Sequence, residues 1–196
     1  GVARPMYLLG AVIADPAICD EVRAQLRRVP RTGQKLHWRD ADEQHHRLIH
    51  RVVAPLPVQH VVVVVVAAPA DPRRPERARA KCLERMLHEL DRWGVGQLIM
   101  EARTASLNRR DVMLVDRLRG GRRVPAGIRV EFGLPSTEPM LWLPDQILGM
   151  IGDGEAGNTR WLTAALTERV TRCRYRKGRV PSYGGVPGFA SNAKGR

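Results

Sequence analysis

The fold is decided by the stretch IRVEFGLPSTEPMLWLPDQILGMI, which spans residues 128–151. Apolar and polar residues alternate over 128–132, and this alternation predicts a β-strand. Proline is tolerated in the first turn of a helix, so Pro139 and Pro144 bracket the start of the helix that follows. The stretch therefore predicts a buried strand, a turn and a helix with one buried face.

One acidic residue, Asp145, falls near the beginning of this helix, between the apolar residues Leu143 and Ile147. The helix dipole stabilises a carboxylate there by ~0.3–1 kcal/mol, which is a sufficient structural reason for an acid. An acid in an otherwise apolar helix is also a candidate for a functional site. Both interpretations stay open from the sequence.

The rest of the chain alternates strand-like and helix-like segments. Six consecutive valines starting at Val61 predict a central strand that is covered on both faces. The alternation predicts an α/β layer architecture around one mostly parallel sheet. The predicted strands are 6–14, 58–68, 97–102 and 128–132. Asp40 and Glu43 form a capping-box-like start for a helix with core positions over 48–53; the other predicted helices include 18–29, 82–93, 107–118, 141–151 and 158–173.

Charge is the unusual feature of the composition. The chain has 33 Lys and Arg against 20 Asp and Glu, a net charge of +13, and eight of these cations follow Glu168, after which no acid occurs. A basic loop at 31–35 and this tail predict contacts with the phosphates of DNA or RNA. A GC-rich genome also enriches arginine, so that explanation stays open. The predicted phosphate-binding residues are Arg31, Lys35, Arg174, Arg176, Lys177 and Arg179.

From about Arg174 the sequence shows no apolar period, which predicts one α/β domain over 1–173 and a disordered basic tail over 174–196. Three widely spaced cysteines argue against a disulfide framework and favour a cytoplasmic protein. No apolar run reaches transmembrane length, so no membrane partner is expected. The sequence leaves the oligomeric state open, a dimer included.

Two acidic residues are placed to meet. Glu101 ends a predicted strand and Asp145 opens a predicted helix. In an α/β sheet these positions share a rim where sites form. Paired carboxylates there predict a site for Mg²⁺ or Mn²⁺, a metal that suits phosphodiester hydrolysis. The competing interpretation of Glu101 is an ion pair with Arg103 or Arg109.

Three histidines also invite a functional interpretation. His37 precedes Trp38, and a lone histidine beside a tryptophan is more often structural than catalytic. His46 and His50 lie one helical turn apart, but no glutamate occupies the spacing that a zinc helix requires. We therefore expect His46 and His50 to form a polar helix surface. Glu131 is expected on a solvated strand face.

The chain contains four short segments with a shared resemblance: YLLGAVI at 7–13, LHWRD at 36–40, LIME at 98–101 and LWLPDQILG at 141–149. Together they resemble the domain-of-unknown-function 3800 family, which is similar to ribonuclease H-like folds. The resemblance implies a ribonuclease H-like mixed sheet flanked by helices, with acidic residues that bind Mg²⁺. Glu101 and Asp145 would be metal ligands and catalytic residues, and His37 would be a third catalytic residue nearby.

The family's first strand usually ends Asp-Glu-Ser-Gly, and its aspartate is the leading metal ligand. This sequence opens at Gly1-Val-Ala, directly before the segment that resembles the second strand. The resemblance therefore implies a metal-dependent nuclease-like hydrolase, either active or shortened at the N-terminus and inactive. The alternative is a non-catalytic module that binds nucleic acid or protein.

Overall fold

The structure is a computed structural model that describes residues 6–31, 33–66 and 74–174. Three of the predicted phosphate-binding residues, Arg176, Lys177 and Arg179, lie outside the described residues. So does the predicted tail beyond Arg174.

The described strands form two sheets. The first sheet has the order β1-β2-β5, in which β1 (Met6–Ile13) is antiparallel and β5 (Val170–Arg174) is parallel to the central strand β2 (Gln59–Val66). The second sheet pairs β3 (Gln97–Glu101) with β4 (Arg129–Gly133) in parallel. The α/β class is confirmed, but a three-stranded mixed sheet and a small parallel sheet replace the predicted single, mostly parallel sheet.

Helices flank both faces of the first sheet. The Asp15 side chain accepts from the N–H of Ala17 as the N-cap of the 3₁₀ turn Pro16–Ile18. The helix that begins at Glu43 is capped by Asp42, whose side chain accepts from the N–H of His45, and not by Asp40 as its sequence pattern predicts. The helices are α1 (Cys19–Arg27), α2 (Glu43–Val53), α3 (Arg74–Arg92), α4 (Ala105–Gly120), α5 (Leu143–Glu155) and α6 (Ala164–Thr167), with 3₁₀ turns at Pro16–Ile18, Pro139–Trp142 and Thr159–Trp161.

The prediction of one helix over 158–173 is wrong. A 3₁₀ turn and the four-residue α6 occupy its first part, and Val170–Arg174 forms β5. These five residues pair with His60–Val64 on the edge of β2. Backbone hydrogen bonds to that edge, which a helix could not make, decide the conformation of this segment.

The valines of β2 separate two hydrophobic clusters. Val62 belongs to a first core cluster under α1, α2 and α5, whereas Val61, Val63 and Val65 belong to a second core cluster under α3 and α4. Successive side chains of a strand point to opposite faces, so a strand between two apolar layers needs an apolar residue at every position. The prediction of a central strand covered on both faces is confirmed.

Two glycines bring α5 close to its neighbours. A Cβ atom on Gly10 of β1 would lie 3.2 Å from Leu148 Cγ, and a Cβ on Gly149 would lie 2.1 Å from Trp38 Cγ. α5 therefore packs tightly on β1 and on the loop that carries Trp38. No helix within the described ranges is long and apolar enough to cross a membrane.

Candidate functional site

The segment 35–38 lies across the beginning of α5 and is fixed there by its backbone. The Gln146 side chain donates to the carbonyl of Leu36 at 2.8 Å, and the Asp145 carboxylate accepts from the N–H of Trp38 at 3.2 Å. The Leu36 and Trp38 side chains are buried in the first core cluster. Apolar burial and two hydrogen bonds from α5 thus hold the segment in place.

His37 faces Asp145 across this contact. Its Nδ1 lies 3.5 Å from Asp145 Oδ2, and the histidine side chain is 45% exposed. The same carboxylate oxygen lies 3.5 Å from the side-chain nitrogen of Gln146. Asp145 therefore combines a structural role at the helix start with a contact to an exposed imidazole. The interpretation of Asp145 as a functional residue stays a prediction.

Glu101 has a different partner from the two that the sequence suggested. Its Oε2 lies 2.6 Å from the ammonium of Lys35, whose side chain is only 14% exposed. Arg103 instead pairs with Glu76, and the described residues place no ion pair between Glu101 and Arg109. The expected kind of interaction is present at Glu101, but the partner comes from the basic loop.

The two acids thus contact the same short segment, Glu101 through Lys35 and Asp145 through His37 and the Trp38 backbone. These shared contacts agree with the expectation that Glu101 and Asp145 lie at one edge of the molecule. Each carboxylate already faces a cationic or N–H donor.

A shallow depression of about 30 Å³ opens next to these pairs. The guanidinium of Arg31 lies 4.6 Å above the Trp142 ring, a cation–π arrangement that holds this cation at the rim. His45 Nε2 is buried there without a hydrogen-bond partner among the described residues. The depression is lined by Arg31, Lys35, Leu36, His37, Asp40, Ala41 and His45.

The described part of the chain does not offer the ligand set of a magnesium site. Mg²⁺ prefers six oxygen ligands in octahedral geometry, with one or two protein carboxylates able to bind it directly. Here Glu101 is already neutralised by Lys35, and no group of three or more His, Cys, Asp or Glu side chains in the described ranges is placed to hold a metal ion. As arranged, Glu101 and Asp145 do not fit Mg²⁺ or Mn²⁺, and their role as metal ligands stays a prediction.

The expectation of a polar surface at His46 and His50 is wrong. Both are half-buried: His46 stacks on Trp38 with ring centroids 4.0 Å apart, and its Nε2 bonds the Trp38 carbonyl at 2.8 Å. His50 Nε2 bonds the carbonyl of Trp161 at 3.0 Å. His46 thus contacts the loop that carries His37, and His50 contacts the 3₁₀ turn that ends at Trp161. Helical spacing could not reveal these tryptophan partners, because they lie outside the helix.

Two other residues that the sequence analysis singled out, Arg174 and Glu131, lie apart from this depression's lining. Arg174 is exposed at the end of β5. Glu131, on β4, bonds Arg129 and the side chain of Gln97, and the hydrogen bond from Arg129 is the main reason that its pKa is lowered. Glu131 thus has the ordinary environment of a charged strand residue.

Besides Glu89, which is 1% exposed and pairs with Arg85 and Arg92 of its own helix, sequence reasoning missed two buried titratable groups. Asp111, 3% exposed on α4, accepts hydrogen bonds from Arg79 of α3 and lies 3.7 Å from Arg103. His60 of β2 is 2% exposed, and burial, aided by Arg169, lowers its pKa to about 4. The only sequence signal was an acid or a histidine among apolar neighbours. Both groups have structural roles, in joining two helices and in filling the sheet.

Comparison with models of protein families, with curated proteins and with solved structures finds no match to this chain. The resemblance to the domain-of-unknown-function 3800 family and the ribonuclease H-like form of the fold therefore stay predictions.

Proposed function

We propose that this protein binds nucleic acid through its phosphates at the depression beside Arg31 and Lys35. The observation that carries the proposal is that Arg31, Lys35 and His37, three groups that can donate to a phosphate, line one depression. The net charge of +13 favours the approach of a polyanion.

The chemistry of each donor suits a phosphate. Arg31 is exposed, and stacking on Trp142 leaves the N–H groups at the edge of its guanidinium available for bidentate contact with two phosphate oxygens. Lys35 has three N–H donors, of which the bond to Glu101 uses one. A bound phosphate could therefore be shared by Arg31 and Lys35 without breaking the Lys35–Glu101 pair.

A second candidate function is hydrolysis of the bound phosphodiester, and the pair formed by His37 and Asp145 favours it. A carboxylate that faces one imidazole nitrogen orients the ring, so that the other nitrogen can accept a proton from an attacking water. His37 has the exposure that this role requires. The metal-dependent nuclease that the family resemblance implies is the form of this candidate that needs Mg²⁺.

Binding of labelled single-stranded DNA and RNA, followed by fluorescence anisotropy, tests the first proposal. We expect Arg31→Ala to weaken binding about tenfold, as for the loss of a charge-assisted hydrogen bond, and to lower the slope of log K against log salt by about 1. The matched control is Arg117→Ala, which removes an exposed arginine of α4 that does not line the depression. Equal losses in the two variants would show that binding is diffuse and not located at the depression.

Cleavage of the same oligonucleotides, measured in EDTA and in Mg²⁺ or Mn²⁺, tests the second candidate. Because His37 is also one of the proposed phosphate donors, loss of cleavage at saturating oligonucleotide in both His37→Ala and Asp145→Asn would support hydrolysis, whereas a weaker affinity alone would not. Binding without cleavage under every condition leaves the non-catalytic module as the function.

A further inference from the structure

We infer that Lys35 is the resident cation of the site, where it neutralises Glu101 in place of a divalent metal ion, so that phosphate binding needs no added metal. The inference deepens the proposed function and rests on it. It starts from the disagreement between the Mg²⁺ site that the sequence predicts and the ion pair that the structure contains.

The contact itself is close and shielded. The ammonium of Lys35 lies 2.6 Å from Glu101 Oε2, and its side chain is 14% exposed, whereas that of Glu101 is 42% exposed. Water screens a half-exposed carboxylate only in part, and a poorly solvated ammonium gains from keeping an anionic partner. A metal ion that binds Glu101 through this oxygen would have to displace the ammonium.

The backbone that follows Lys35 limits where its side chain can go. Leu36, the next residue, is 1% exposed and its carbonyl accepts from Gln146, a residue with no exposed surface. Trp38 is 4% exposed and its N–H donates to Asp145. Withdrawal of Lys35 from Glu101 by a shift of the loop would remove these buried contacts, so the loop positions the ammonium.

The charge balance explains what this positioning achieves. Two uncompensated carboxylates beside a phosphate would repel it, and nucleic-acid enzymes commonly cancel such charge with bound metal ions. Here Lys35 cancels the charge of Glu101, while His37 and the N–H of Trp38 face Asp145. Arg31 then adds a cation with no acidic partner among the described residues.

The first test measures oligonucleotide binding by the full chain in EDTA and in about 5 mM Mg²⁺, at constant ionic strength. We expect wild-type affinity to change by less than about twofold between the two buffers. Lys35→Gln should lose about tenfold in EDTA, with Mg²⁺ restoring part of the loss, and Lys35→Arg should stay near wild type. Arg117→Gln, which removes one exposed charge from α4 outside the depression, should lose less than about twofold in both buffers.

Direct titration of Mn²⁺, followed by electron paramagnetic resonance, provides a readout without nucleic acid. We expect Lys35→Gln to bind Mn²⁺ at least about tenfold more tightly than wild type, and the double variant Lys35→Gln/Glu101→Gln to lose that gain. Circular dichroism of each variant verifies that the fold is retained.

The outcomes separate the inference from the proposed function. Wild-type protein that binds the oligonucleotide only with Mg²⁺, or that binds Mn²⁺ as tightly as Lys35→Gln, overturns the role of Lys35 but leaves phosphate binding intact. Failure of wild-type protein to bind any oligonucleotide overturns the proposed function, and the Mn²⁺ titration then still decides whether Lys35 excludes a metal ion from Glu101.

Discussion

Replacement of Gly149 by alanine should destabilise the protein because α5 has no space for a methyl group at this position. The added Cβ would lie 2.1 Å from Cγ and 2.2 Å from Cδ1 of Trp38, where ordinary contacts are at least 3.4 Å. Trp38 is 4% exposed and cannot move outward without losing its stack on His46 and its hydrogen bond to Asp153. The tryptophan or the helix must therefore shift by about 1 Å before this contact reaches 3.4 Å.

The expected free-energy change follows from two opposing effects. Overpacking of a core costs about 1–3 kcal/mol, and alanine gains about 1 kcal/mol over glycine inside a helix. Because the blocked atoms belong to a large ring, we expect an overpacking cost in the upper part of this range. After the helix gain is subtracted, Gly149→Ala should lower the free energy of unfolding by about 1–2 kcal/mol. That loss corresponds to a fall in the melting temperature of roughly 2–8 °C for a chain of this size.

Gly152 provides a control on the same helix. A Cβ on Gly152 would have no heavy atom within 4 Å, so Gly152→Ala should stabilise the protein by about 0.5–1 kcal/mol. Urea unfolding followed by circular dichroism measures both variants, and their free energies of unfolding should differ by about 1.5–3 kcal/mol. Equal stability of the two variants would refute the tight contact between α5 and Trp38, and with it the argument that the loop of Lys35 and His37 is fixed.

Three further outcomes follow from the structure. The pKa of His60 is lowered to about 4, so below pH 6.5 this side chain binds a proton in the unfolded chain but not in the folded protein. The free energy of unfolding should therefore fall by about 1.4 kcal/mol per pH unit as the pH drops from 6.5 towards 4. The urea midpoint of His60→Val should fall less steeply over the same pH range. Asp111→Ala should cost about 3 kcal/mol in urea unfolding, since it leaves the Arg79 guanidinium without its buried partner, while exposed Asp116→Ala should cost less than about 0.5 kcal/mol. Deletion of residues 175–196, which hold five cations and no acid, should reduce oligonucleotide affinity and its salt dependence; anisotropy titrations unchanged by the deletion would assign binding to the folded part.

The sequence was most informative where one residue pattern satisfies a single geometry. The run Val61–Val66 fits only a strand covered on both sides, and the structure has it at the centre of the first sheet. Residues 170–174 were ambiguous, because Val170 and Cys173 fit the helical spacing that starts at Trp161 as well as a strand. The free edge of β2 decides between the two, and its position depends on a segment more than 100 residues earlier in the chain.

The site shows the same division between local and distant information. Periodicity and proline positions placed Asp145 in the first turn of α5 and Glu101 at the end of β3, as the structure has them. The partner of Glu101 is Lys35, 66 residues away, and charge spacing had suggested Arg103 or Arg109 instead. Sequence spacing predicts ion pairs only between residues that are close in the chain. The actual partner depends on which side chains the packed helices and strands bring within about 4 Å of each other.

The tryptophans are unevenly distributed between the two core clusters, so intrinsic fluorescence reports mainly on one of them. Trp38, Trp142 and Trp161 all belong to the first core cluster, while Trp93 packs against the second. Intrinsic emission therefore follows chiefly the layer that supports the loop of Lys35 and His37, and far-ultraviolet ellipticity follows both layers. Coincident denaturation curves from the two signals would mean that the two layers, which share β2, unfold cooperatively. Separate curves would mean that the layer beneath the loop unfolds independently of the other layer.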